Sequence, residues 1–134
     1  MTGSSVETRS AATAGWLLLL LVASFATLVP GGPVETRDFS GLGGPVFWGF
    51  NVFLVTLGVI ALVAAIGLIK ARLALAWAAI AVSWGYVFVV LLDLGAVFPR
   101  SPDPIPLPLG LIEILDLILA IYVAVLCHRA LRHI

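Results

Sequence analysis

Three carboxylic acids stand where acids are rare. Asp93 lies within VVLLDLGAVF, and Glu113 and Asp116 within LIEILDLILA. An ionisable group in such apolar surroundings is costly and normally faces a protein interior or a polar cavity. Four kinds of chemistry are open to these acids. They can carry protons, pair with an arginine folded back from a loop, take up a cation or basic ligand from outside, or meet a cation on a second subunit. No Lys, Arg or His shares their depth in any apolar run, and the nearest cations are Arg37 and Arg100. Asn51 and Tyr86 are the neutral polar residues best spaced to join them. The candidate ligand- or partner-binding set is therefore Asp93, Glu113, Asp116, Asn51, Tyr86 and Arg100.

The remaining reactive side chains form no site. Cys127 is the only cysteine, so an internal disulfide, a CxxC pair and a cysteine zinc site are excluded. It reads as a small apolar filler. His128 and His133 flank Arg129 and Arg132 and read as a basic anchor at the membrane surface. Gly41, Gly43 and Gly44 lack the lysine of a phosphate-binding loop, and no Ser-His-Asp or metal-ligand spacing occurs. Ser24, Thr27, Thr56 and Ser83 are expected to bond to carbonyls of their own helices. No catalysis, cofactor or metal is expected. The zero net charge points away from nucleic acid.

The elements that carry the acids follow from composition. Of 134 residues 62% are hydrophobic and 10% charged, against roughly 25% charged in a soluble domain. Too few polar residues remain to cover a water-exposed surface, so a lipid bilayer must solvate much of the chain. A bilayer core takes about 20 mostly apolar residues in a helix. Four segments qualify: 11–29, 46–69, 73–98 and 107–127. Their continuous apolar character excludes the alternation of a β-barrel. The first segment resembles a signal peptide in having Arg9 ahead of a leucine core, but its length favours a retained helix. The expected fold is all-α, a single domain spanning 1–134: an integral membrane four-helix up-down bundle.

All eight prolines fall in two connections, 30–45 and 99–106, or just beyond the second at Pro108. The second and third helices are joined only by Lys70-Ala71-Arg72, which makes them a hairpin. Arg9, Lys70, Arg72, Arg129 and Arg132 then share one side, against Arg37 and Arg100 on the other. Basic residues favour the cytoplasmic side, so both termini are expected in the cytoplasm and both proline loops outside. Glu113 and Asp116 lie roughly 8 to 14 Å below the start of the fourth helix, at 1.5 Å per residue. They are three residues apart, on one helix face. All three acids thus belong to the outer half of the membrane. The thirteen Leu, Ile and Val residues of 107–127 contribute about 4 to 8 kcal/mol to insertion, enough to offset two off-centre acids.

Helices in lipid associate through small residues. Pairs four apart occur at Ala23/Thr27, Ala61/Ala65, Ala74/Ala78 and Ala120/Ala124. Trp16, Trp48 and Trp77 fit interfacial belts, whereas Trp84 falls mid-span and is assigned to packing. Phe88, Val89, Val90 and Leu91 suit lipid or a greasy partner. The segment PRSPDPIPLP reads as a stiff extended strap, either a spacer or a lid over the acids.

Two functions fit. One is a non-catalytic accessory or assembly subunit of a larger membrane complex, partnered by other membrane subunits or by copies of itself. The other is a small-molecule or cation binder or transporter built on the outer acidic cluster. An arginine excess over lysine suits a GC-rich bacterial genome, and hence a multi-pass protein of the plasma (inner) membrane.

Overall fold

The computed structural model describes residues 2–28, 44–95 and 103–132, and of residues 2–8 the backbone alone. It contains α1 (Thr2–Ala26), α2 (Gly44–Ile69), α3 (Ala76–Leu94) and α4 (Leu107–Arg132), with a 3-10 turn at Leu73–Leu75. Among the described residues there is no strand. Each helix contains a stretch long and apolar enough to cross a membrane, where every backbone N–H must find a partner within its own segment. The chain is a multi-pass membrane protein.

The helix ends differ from the sequence boundaries for local reasons. Helix α1 begins well before residue 11, because a helix projecting into water needs no apolar residues to continue. It stops at Ala26. Thr27 and Leu28 turn off it through bonds from their N–H groups to the carbonyls of Ser24 and Phe25. Pro30 disfavours helical geometry at the residue before it. Helix α3 ends at Leu94 rather than 98, with Gly95 N–H bonded to Leu91 O at 3.0 Å. Helix α4 starts as expected, since proline is tolerated in a first turn, and Gly110 N–H closes onto Pro106 O. It runs past Cys127 to Arg132. Arg129 and Arg132 in its last turn complement the negative end of the helix dipole.

The α2–α3 link has a defined geometry. Arg72 N–H bonds to Gly67 O at 2.9 Å, and Ala71 N–H to Leu68 O at 3.0 Å. This is a Schellman closure, which requires a left-handed residue and usually uses glycine. Here that residue is Ala71, at φ 62°. The left-handed conformation costs an L-residue about 1–2 kcal/mol. Ala71→Gly is expected to stabilise the protein by about 0.5–1 kcal/mol net of glycine's greater chain entropy. The check is a higher unfolding midpoint in an SDS titration.

Packing follows a seven-residue repeat. The buried positions include Ala11, Ala14, Leu18 and Leu21 in α1, and Leu57, Ala61, Ala64 and Leu68 in α2. In α3 they include Ala76, Ala79, Ser83, Tyr86, Val90 and Asp93, and in α4 Leu109, Glu113, Asp116, Ala120, Val123, Cys127 and Ala130. Alternating steps of three and four keep one seam of each helix turned to its neighbours. Helix α1 packs against α2 and α4, and α3 packs against the same two.

The small-residue pairs divide. Ala61/Ala65 and Ala120/Ala124 are buried in the interfaces, but Ala23 and Ala74 are exposed. In α1 and α3 the close contacts fall instead at Ala11/Gly15 and Ala79/Ser83, which keep the seam register. Trp84 does not pack inside: it is 47% exposed, and Trp16, Trp48 and Trp77 also face outward. Phe88 and Leu91 are exposed as their bulk suggests, while Val89 and Val90 on the opposite faces are buried.

Candidate functional site: a polar seam where α1 and α3 end

The seven-residue repeat decides where the acids point. Glu113 and Asp116 continue the line that buries Leu109 and Ala120 in α4, and Asp93 continues the line of Tyr86 and Val90 in α3. All three carboxylates therefore face the interior rather than lipid. Their relative exposures are 4% for Asp93, 5% for Glu113 and 3% for Asp116.

Asp116 has the most fully defined surroundings. Ser24 Oγ on α1 donates to Asp116 Oδ2 at 2.8 Å. This is a departure from the expected bond to the serine's own helix, which Thr27 and Thr56 do make, to Ser24 O and Val52 O respectively. Serine reaches across because it flanks the α1 seam beside Leu21 and Phe25, where α1 meets α4. A hydrogen bond to a charged acceptor is stronger than one to a carbonyl. The rings of Phe25 and Tyr86 lie 4.3 Å apart, centroid to centroid, tilted by 32°. Ser24, Phe25, Tyr86 and Asp116 thus bring α1, α3 and α4 together at one level.

Asp93 and Glu113 are each engaged in interactions of their own. Among the described residues no three His, Cys, Asp or Glu side chains converge closely enough to hold a metal ion. Asn51 is bonded within its own helix. Its Nδ2 donates to Phe47 O one turn back at 2.9 Å, and α2 packs on α1 and α3 rather than on α4. Arg37, Arg100 and the proline strap up to Pro102 lie outside the described residues, as does His133.

On the other side of Tyr86 the seam meets Ser83. Its hydroxyl is fully buried and has no hydrogen-bond partner. Beyond Ser83 the polar groups stop. Ala79, Ile80 and Ala76 in α3 face Ala120, Val123 and Cys127 in α4 across an apolar core. Carboxylates, hydroxyls and aromatic faces together attract positive charge.

Sequence reasoning singled out the acids and Tyr86 but missed Ser24, Phe25 and Ser83 as their neighbours. The signal was present in the seven-residue spacing: positions 83, 86, 90 and 93 share one line, and 21, 25 and 28 another.

No curated protein and no solved structure matches the chain. A family model covers nearly all of it, from the apolar start of α1 through α4, all three acids included. The chain belongs to the family described as a domain of unknown function (DUF8051), whose model matches residues 9–133.

Proposed function

We propose that this protein binds a small cationic solute from outside the cell, through carboxylates set within its own four-helix bundle. The observation that carries this reading is the inward burial of Asp93, Glu113 and Asp116. Acids awaiting a cation on another subunit would face outward, across the lipid-exposed surface. Acids inside the bundle serve whatever enters it. The reading assigns the protein no catalytic step.

It includes an orientation. The helices alternate up and down in the plasma (inner) membrane, with both termini in the cytoplasm. Contacts between α1 and α2 support the alternation. Gly15, in the first half of the apolar stretch Arg9–Ala26, approaches Ala65 and Ile69, late in α2. Gly67, near the end of α2, approaches Leu75 just ahead of α3. Arg9, Lys70, Arg72, Arg129 and Arg132 are all exposed, as cytoplasmic anchors should be. The acids then open to the outside.

The test is the melting temperature of the purified full chain in mild detergent. Sodium, potassium and ethylammonium chlorides are compared at constant ionic strength against N-methylglucamine chloride. A ligand that binds only the folded state raises its stability by about 2.7 kcal/mol at a hundred times Kd. At least one small cation is expected to raise the midpoint, and a D93N/E113Q/D116N variant should lose the response. An unchanged midpoint with every cation refutes the reading.

One observation favours the accessory-subunit reading as well. Helix α2 turns Val52, Val55, Val59, Val63 and Ile66 outward, an apolar face broad enough for lipid, for a larger membrane subunit or for another copy of the chain. Stoichiometric co-purification of larger subunits would favour assembly; a discrete homo-oligomer would fit the binder.

A further inference from the structure

The geometry points to a primary alkylammonium group, rather than a metal ion, as the ligand of Asp116, with Ser83 and the Phe25–Tyr86 ring pair completing its site. This rests on the cation-binding reading and narrows it to one acid of the seam and one class of ligand.

The first observation is Ser83. Hydroxyls within helices ordinarily bond to a carbonyl a turn back, as Thr27 and Thr56 do here. Ser83 does not, although it is fully buried. A polar group left without a partner in an apolar interior is costly. Ser83 is also placed where a ligand would meet it. It precedes Tyr86 by one turn on the same buried line of α3, and Tyr86 meets Phe25, the residue next to Ser24.

The second observation is the arrangement at Asp116. Ser24 occupies Oδ2 and fixes the carboxylate between α1 and α4. In the proposed site Oδ1 accepts from the incoming donor. Phe25, the residue after Ser24, brings the tilted Phe25–Tyr86 ring pair to the same turn of α1. An ammonium group has three N–H donors and no acceptor. It fits a carboxylate oxygen and a hydroxyl oxygen, and it is attracted to aromatic faces within about 6 Å. Its alkyl tail suits the apolar seam beyond Ser83.

A divalent metal fits poorly. Calcium takes about six to eight oxygen ligands and magnesium about six. Among the described residues no three His, Cys, Asp or Glu side chains converge to hold a metal ion. One negative charge with aromatic neighbours matches one positive charge on an organic group.

The experiment is again thermal melting of the full chain in detergent, with ethylammonium chloride and sodium chloride titrated separately at constant ionic strength. Ethylammonium is expected to raise the midpoint at concentrations where sodium does not. Asp116→Asn should abolish the response. Ser83→Ala should weaken apparent affinity about tenfold, the equivalent of one lost hydrogen bond to a charged donor. Asp93→Asn and Glu113→Gln should retain it. The inference falls if sodium acts as strongly as ethylammonium, or if the response survives Ser83→Ala at full strength. It also falls if Asp93→Asn or Glu113→Gln removes the response while Asp116→Asn keeps it. In those three cases cation binding itself stands. If neither cation acts, both fall together. Should Asp116→Asn fail to fold, the conservative Ser83→Ala decides alone.

Discussion

Gly15→Leu is expected to cost the folded bundle about 3 kcal/mol or more, at the upper end of what overpacking a core does. The reason is backbone proximity. A Cβ at Gly15 would lie 2.7 Å from Ala65 O and 3.1 Å from Ile69 N, with Ile69 Cγ1 at 2.8 Å. Side chains can turn away from an intruding atom, but a helix backbone must move as a body. Helices α1 and α2 meet through Gly15 on one side and the small residues Ala61 and Ala65 on the other, the close approach that drives association in lipid. Gly15→Leu would push α1 off α2 and disturb the register in which Ser24 reaches Asp116. Gly58 is the control. A Cβ there meets nothing within 4 Å, and alanine in a helix interior is favoured over glycine by about 1 kcal/mol. Gly58→Ala should therefore stabilise the protein slightly or leave it unchanged. Unfolding in SDS titrations reads both. Equal effects of Gly15→Leu and Gly58→Ala would refute the assigned contact.

The second large effect concerns the bond between Ser24 and Asp116. Ser24→Ala removes the donor and leaves a buried carboxylate oxygen without it, a loss of about 1.5–3 kcal/mol. Asp116→Leu in the Ser24→Ala background removes the acceptor too and fills its space with an apolar side chain. Replacing both partners of a buried polar pair is often neutral or stabilising, so the double variant is expected to recover most or all of the loss. Such a recovery would mean that Asp116 is not there to hold the fold together. If S24A/D116L is instead less stable than S24A, the carboxylate has a structural role and the case for a binding site weakens. Cation-induced stabilisation should be absent from the double variant whatever its own stability.

The sequence alone was enough for the four apolar helices. Hydrocarbon leaves the backbone no alternative, and prolines at 30–45 and 99–106 with the short Lys70-Ala71-Arg72 link leave few places for the breaks. The rarity of Asp93, Glu113 and Asp116 in their apolar runs was enough to single them out. Helix ends were less legible. Beyond the apolar core, capping and water-side helix extend or shorten an element without changing its hydropathy, as at Thr2 in α1 and Arg132 in α4.

The partners of each acid were decided only by tertiary structure. Away from the acids the membrane-spanning stretches are apolar on all faces, so hydropathy there cannot tell a lipid-facing side from a buried one. Trp84 and Val90 look equally suited to either, and packing sends one out and the other in. Ser24 could serve its own helix as well as Asp116 until α1 and α4 are placed side by side. Ser83 differs from Thr56 only in what surrounds it. The choice of neighbour depends on close fit at Gly15, Ala61, Ala65 and Ala120, a property of paired surfaces that no single segment contains.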